Sequence, residues 1–265
     1  MTLSACMIVK NEEDVISRCI KSYYEAVDEI IVVDTGSKDR TVEIAKKNGA
    51  RVYYFAWQDD FAAAKNFALS KAKGDWIIFL DADEYFANHT GNNIRSFLLN
   101  LDESFNSVAC KMLNLDQSSG KLLDEITHIR IFKNDKYIRY VNPIHEMLLN
   151  RGKSKKMNAF LADPRDIVIH HTGYSYDNRQ QKAKRNLELL LRELPKAPEK
   201  PAYYQYIADC YFGLENWEKV IEYTNLFMNS GTKMVGYNVR PHQNLIDAML
   251  KLKHSSEDIM DQIDI

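Results

Sequence analysis

Residues 74–86 read GDWIIFLDADEYF: Gly74, then Trp76-Ile77-Ile78-Phe79-Leu80 without a polar break, then Asp81, Asp83 and Glu84. An apolar run of this length, with no polar alternation, is the pattern of a strand buried on both faces, as in a parallel sheet covered by helices. Three acids at the end of such a strand repel one another. The arrangement makes physical sense if something positive is meant to sit there.

The neighbouring segments extend this reading. LSACMIV (3–9), EIIVVD (29–34) and RVYYFAW (51–57) are further strand candidates. Between them lie helical patterns. EEDVISRCIKSYY places Val15, Ile16, Cys19 and Ile20 on one face, and DRTVEIAKKNGA sets Gly49 where a left-handed C-cap belongs. DDFAAAKNFALSKAKG carries aspartates at its start and lysines in its last turn, so a helix from Phe61 to Lys73 is expected. Strands spaced by helices of this length imply βαβ units, hence an α/β, Rossmann-like fold with a mostly parallel sheet.

From about Asn88 to Thr172 the pattern is richer in strands (SVACKMLNL, THIRIFKN, IRYV, DIVIHH), which predicts an extension of the sheet and an acceptor side. From Asp177 the chain turns helical. QKAKRNLELLLREL sets Leu187, Leu190, Leu191 and Leu194 on one stripe, and residues 202–229 read as a helical hairpin turning near Glu215-Asn216. The expected division is an α/β domain over 1–176 and a helical region over 177–265.

The 265 residues are 45% hydrophobic and 27% charged, an ordinary globular balance, and the formal net charge is −2. That charge argues against nucleic acid or an anionic membrane as the main partner. No run approaches the roughly 18 apolar residues of a membrane span, and the N-terminus reads without a leader, so the expectation is a cytoplasmic protein with no integral membrane segment. Cys6, Cys19, Cys110 and Cys210 are scattered without a CxxC pair and read as reduced structural thiols.

In an open α/β sheet, ligands bind beyond the carboxyl ends of the strands. There the sequence gathers Lys10-Asn11-Glu12, Asp34-Thr35-Gly36-Ser37 and Asp81-Ala82-Asp83. DTGSKDRT lacks the G-x-G-x-x-G dinucleotide fingerprint, and there is neither a G-x-x-x-x-G-K-[ST] phosphate loop nor a D-x-D-x-T phosphatase motif. A carboxylate pair suited to a hard divalent cation, Mg2+ or Mn2+, remains. Lys65 falls on the inward stripe with Phe61, Leu69 and Ala72, so it either snorkels outward or meets a negative group.

SACMIVKNEE, EIIVVDTGSKDRT, DFAAAKNFAL and WIIFLDADE, in this order and spacing, resemble the nucleotide-binding half of family 2 glycosyltransferases of the GT-A fold. HIRIFKN, NPIHE and IHHTGY resemble a bacterial subgroup whose catalytic domain precedes tetratricopeptide-like helices and which includes S-glycosyltransferases acting on bacteriocin peptides. The resemblance implies an inverting, metal-dependent hexosyl transfer from a UDP-sugar donor to a peptide, protein or glycan acceptor. It implies that Asp34 accepts the N3–H of uracil, with Asn11 and Glu12 lining the same pocket and Lys65 meeting the anionic donor. Asp81 would lie near the ribose, Asp83 would hold the Mn2+ or Mg2+, and His171 would be a further metal ligand, with His170 a core neighbour. Glu146 is the candidate general base. His145 would position Glu146 or the acceptor, and Arg130 would face the donor phosphates or pair with a nearby acid.

The C-terminal hairpin resembles one tetratricopeptide unit through Tyr204, Ile207, Ala208, Tyr211, Ile221 and Tyr223, departing from the pattern at Val220 and Phe227. Repeat arrays need about three units. A single unit therefore implies helices packed on the first domain, a chain shorter than its relatives, or a homodimer. Two other readings compete. A sugar-1-phosphate nucleotidyltransferase would need a glycine-rich, arginine-containing loop after the first strand, which KNEEDV lacks. A decayed, non-catalytic scaffold would not need Asp34, Asp81, Asp83 and Glu146 intact.

Overall fold

The computed structural model describes residues 1–87, 89–152, 156–173, 176–234 and 237–262. Asn88, Tyr174 of the histidine motif and Gly236 of the last helical segment lie outside the described residues. The chain divides into two compact units, Met1–Ser175 and Tyr176–Ile265.

In the first unit, β1 (Leu3–Val9), β2 (Glu29–Asp34), β3 (Arg51–Tyr54) and β4 (Trp76–Phe79) are parallel in the order β3-β2-β1-β4. The connections carry α1 (Ile16–Lys21), α2 (Thr41–Lys47) and α3 (Phe61–Leu69). β1 and β4 are buried almost throughout, as their unbroken apolar sequences require. Beyond β4 the sheet becomes mixed. β5 (Glu84–Phe86), α4 (Thr90–Leu99), β6 (Ser107–Leu115), β7 (Leu122–Lys133), β10 (Ala159–Leu161) and β11 (Val168–His171) complete the order β4-β7-β6-β11-β5, with β10 beside β6. β7 pairs antiparallel with both β4 and β6, and β5 pairs antiparallel with β11. The fold is α/β with a mostly parallel first half.

Two apolar clusters cover the two faces of this sheet. One gathers Leu3, Met7, Ile16, Ile20, Val32, Ile78 and Ile169; the other gathers Cys6, Ile31, Val33, Ile77, Phe79 and Phe132. The alternation of neighbours such as Ile77 and Ile78 between them is the period-two geometry of a strand.

α3 is shorter than its periodicity suggests. The Asp60 carboxylate caps it by accepting from Ala63 N–H at 2.8 Å. It ends at Leu69, because Lys71 and Ala72 donate to carbonyls three residues back and tighten the chain out of the α-helix. Lys71 and Lys73 therefore lie beyond the last helical turn.

A separate two-stranded sheet, β8 (Ile138–Val141) with β9 (Met147–Asn150), is fastened to α3. Phe61 N–H donates to Pro143 C=O at 2.8 Å. The Asn66 side chain accepts from Tyr140 N–H at 3.0 Å and donates to Tyr140 C=O at 2.8 Å. The DFAAAKN sequence thus serves the hairpin as much as the sheet.

The second unit contains α5 (Tyr176–Glu193), α6 (Ala202–Gly213), α7 (Trp217–Asn229), α8 (Arg240–Lys251) and α9 (Ser256–Asp261). The α6–α7 hairpin turns at Glu215, whose φ is +58°, and buries Ile207, Ala208, Val220 and Phe227. On α5 the apolar stripe differs from expectation. Leu187, Leu189 and Leu190 are buried and Leu191 is exposed, because 100° per residue turns position 191 away from an arc centred near 189–190. Among the described residues, no helix is long and apolar enough to cross a membrane.

Candidate active site

The carboxyl ends of β2, β1 and β4 are adjacent, and each delivers polar groups to the same edge of the sheet. At the end of β2, buried Asp34 accepts Gly36 N–H at 3.1 Å and Ser37 N–H at 3.2 Å. Gly36 has φ +111°, which a glycine adopts without strain and which folds the chain back over the carboxylate. The loop after β1 is braced against this turn. Asn11 N–H donates to Ser37 Oγ at 3.0 Å, and Asn11 Oδ1 accepts Lys38 N–H at 2.8 Å. Glu12 N–H donates to Thr41 Oγ1 at 2.7 Å. Asn11, Glu12 and Asp34 therefore belong to one braced pair of loops.

The centre of the site is a charge cluster. Lys65, with its side chain 4% exposed, places Nζ 2.7 Å from Glu146 Oε1 and 3.2 Å from Asp81 Oδ1, with the rings of Phe79 and Tyr140 each 5.2 Å away. Arg130 contacts Asp81 Oδ2 at 3.3 Å and also pairs with Glu84. Of the alternatives open to these two cations, the structure shows the protein acid in both cases. Lys65 and Arg130 meet protein carboxylates, and neither stands open toward a donor phosphate. The sequence shows that Lys65 faces inward, but its partners come from residues 16 and 81 positions away, which no local pattern records.

Burial opposes charge on all these groups. For Asp81, whose side chain is 38% exposed, the cations Lys65 and Arg130 outweigh burial and hold the carboxyl well below its usual range. For Lys65, Asp81 and Glu146 outweigh burial and keep the ammonium charged. Burial pushes Glu84 up to about 7, with the neighbouring charges of Asp81 and Asp83 adding to it and Arg130 opposing it. Glu84 also closes the acidic turn: its side chain accepts Asp81 N–H at 3.1 Å, and its own N–H donates to Asp81 C=O at 3.0 Å. The third acid of the LDADE run is thus a brace for the first.

Asp83 Oδ2 lies 3.4 Å from His171 Nε2. The other ring nitrogen, Nδ1, lies 2.7 Å from Asn114 Oδ1. The Asn114 amide nitrogen donates to the Asp124 carboxylate, which fixes the amide and leaves its oxygen to accept from His171 Nδ1–H. In the neutral ring, the Nε2 lone pair then faces a carboxylate oxygen. Two lone pairs at that separation repel unless a proton or a cation lies between them. Asp83 raises the His171 pKa against the opposing effect of burial. Gly173 lets the pair pack directly against the backbone, since a Cβ there would sit 2.0 Å from Asp83 Oδ2 and 2.6 Å from His171 Nε2. This donor set fits a hard divalent cation. Asn114 and Gly173 were not legible as site residues; the one local signal was a glycine two residues after a paired-histidine strand.

His170 faces the other way, its Nδ1 3.3 Å from Tyr85 OH, and so is a packing residue. The loop carrying Glu146 holds Asn142 at φ +74° and His145 at φ +49°, left-handed conformations that concentrate at functional sites. His145 is adjacent to Glu146 in the chain and turns the loop that delivers it.

The chain matches known proteins along the same residues. The model of glycosyl transferase family 2 matches residues 4–142, just over half of the chain. A TPR repeat-containing protein of Synechococcus elongatus is 36% identical over 202 residues, covering 73% of this chain and 49% of that protein. The SPbeta prophage-derived glycosyltransferase SunS of Bacillus subtilis is 28% identical over 256 residues, covering 95% of this chain and 58% of SunS. The chain thus spans about half the length of these relatives. Among solved structures, a glucosyl-3-phosphoglycerate synthase of Mycobacterium tuberculosis, crystallised with Mn2+ and UDP-glucose, is 28% identical over 43% of each chain with a TM-score of 0.37. With its strand-end acids on a parallel half-sheet and a family match over just over half of its length, the chain belongs to glycosyl transferase family 2.

Proposed function

We propose that this protein is an inverting, metal-dependent transferase that moves a hexose from a UDP-sugar to a peptide, protein or glycan acceptor. The observation that carries the reading is the Asp83–His171 pair, a carboxylate oxygen and a ring nitrogen 3.4 Å apart beside a glycine, a donor pair that suits a divalent cation. Among the described residues, no group of three or more His, Cys, Asp and Glu side chains forms a complete metal shell. Asp83 and His171 would hold a Mn2+ or Mg2+, whose chemistry there would be Lewis-acid stabilisation of the leaving diphosphate.

The chain's own residues supply the rest. Asp34 accepts from N3–H of uracil, with Asn11 and Glu12 beside it; cytosine has no proton at N3, so the carboxylate discriminates against it. Asp81, locked by Lys65 and Arg130, stays ionised near the ribose. Glu146 takes the acceptor proton as the new bond forms, and Lys65 holds it in place. The test is UDP release from a panel of nucleotide sugars with and without Mn2+. Metal-dependent turnover of a UDP-sugar, with UDP bound more tightly than CDP or GDP, is expected. Turnover that ignores both the metal and the base would overturn the reading.

A further inference from the structure

The β8–β9 hairpin has one closed edge and one open edge. β8 is closed by Asn66, whose side chain takes both the N–H and the C=O of Tyr140. Tyr140 faces Leu148 across the ladder. Because the Tyr140 backbone groups point away from β9, this is a non-hydrogen-bonded pair, and the N–H and C=O of Leu148 must point away from β8. Arg151 N–H donating to Tyr137 C=O at 2.8 Å fits the same alternation. Among the described residues, no backbone or side-chain group pairs with those of Leu148. On either side of it, Met147 and Leu149 stand 52% and 40% exposed. The strand starts directly after Glu146.

The far end of the hairpin is basic. Lys136, Arg139, Arg151 and Lys156 lie in or beside the end where the strands part, in a chain whose net charge is −2, and Arg139 there donates to Asp135 C=O at 2.8 Å and Ile138 C=O at 2.7 Å. Among the described residues none of the four forms an ion pair, and Asp135 uses its carboxylate to accept Tyr137 N–H at 2.8 Å. From Glu146 to Arg151 is five residues, about 17 Å of strand at ~3.3 Å per residue.

We propose that β9 is the acceptor-docking strand, and that the acceptor is an extended acidic polypeptide. Its backbone pairs with the open edge at Leu148, in the manner of strand addition. Its acidic side chains, about four to six residues from the modified position, meet Arg139, Arg151 and Lys156, and a hydroxyl or thiol is thereby presented to Glu146. This rests on the reading of Glu146 as the acceptor-side base.

The test uses two fluorescent twelve-residue Thr/Val peptides, one carrying glutamates and the other lysines at the same positions, titrated by anisotropy in the presence of UDP and Mn2+. The acidic peptide is expected to bind at least tenfold more tightly and to weaken as salt rises from about 50 to 300 mM. Leu148→Pro removes an N–H that is not part of the β8–β9 ladder, and Arg151→Glu reverses one exposed charge. Each should weaken the acidic peptide at least fivefold, with folding checked by circular dichroism. Equal affinity for the two peptides, or wild-type binding by the Arg151→Glu variant, would overturn the proposal. Calorimetry of UDP with Mn2+ on the same wild-type sample tests the donor reading separately. UDP binding without a peptide preference defeats the docking strand alone, and peptide binding without UDP binding defeats the transferase reading.

Discussion

Lys65 Nζ stands 2.7 Å from Glu146 Oε1 and 3.2 Å from Asp81 Oδ1. One buried ammonium thereby joins the end of the fourth strand to the loop that delivers the candidate base. Removing it takes the counter-charge from Glu146 and leaves Asp81 with Arg130 alone, in a partly desolvated place. Lys65→Met should lower unfolding free energy by about 3–5 kcal/mol, the cost of breaking a buried pair from one side, and Lys65→Arg by less. Urea denaturation measures this. A change below about 0.5 kcal/mol for Lys65→Met would mean that the pair does not organise the site.

Glu146→Gln keeps the shape of the side chain but cannot accept a proton. UDP-sugar affinity should stay within about twofold, while transfer to a hydroxyl acceptor falls by roughly 10²–10⁴. A thiol acceptor, partly ionised near neutral pH, should show a smaller loss that shrinks between about pH 7 and 9. Normal turnover by the variant would remove Glu146 from the chemistry.

Gly173→Ala tests the proposed metal site without replacing either Asp83 or His171. The added methyl would fall 2.0 Å from Asp83 Oδ2, so Asp83 or His171 must turn away. Mn2+-dependent UDP binding should weaken at least tenfold by calorimetry while the thermal midpoint moves little. Unchanged metal dependence would show that the Asp83–His171 pair does not hold the cation.

The buried thiols predict how stability changes at alkaline pH. Burial pushes the Cys110 thiol up to about 12, and it also raises Cys6 and Cys19. In the folded chain Cys110 keeps its proton, whereas in the unfolded chain it releases it above about pH 9. Its contribution is therefore intact below pH 9 and declines as pH rises from about 9 toward 12, by about 1.4 kcal/mol per pH unit. Denaturant midpoints at pH 7.5, 9 and 10 should show that decline in wild type and a shallower one in Cys110→Ala. Parallel slopes would mean that Cys110 ionises in the folded state.

The parallel half of the sheet was open to sequence reading because its signal is local. Unbroken apolar runs such as WIIF and IIVV, separated by amphipathic helices, admit few other packings. The inward position of Lys65 followed from helical periodicity, and the acids at strand ends followed from the strands. The features that escaped were long-range. Arg130 reaching Asp81 and Glu84, Asn114 orienting His171, and Asn66 closing β8 all pair residues at least 46 positions apart. Such partners are set by the antiparallel insertion of β7 and by the return of β11 beside β6 and β5, which leave no periodic trace in either segment alone. The end of α3 at Leu69 escaped for a smaller reason: the competition between four- and three-residue hydrogen bonds at a helix end depends on the groups packed around that end in space.

Under the proposed function, Asp83 would hold a divalent cation that strengthens the binding of uridine diphosphate. Isothermal calorimetry of UDP with and without Mn2+, on wild type and Asp83→Asn, tests it directly. The wild-type chain should bind UDP at least tenfold more tightly with Mn2+, and Asp83→Asn should lose that gain while remaining folded. Equal UDP affinity in the two proteins with Mn2+ present would contradict the account.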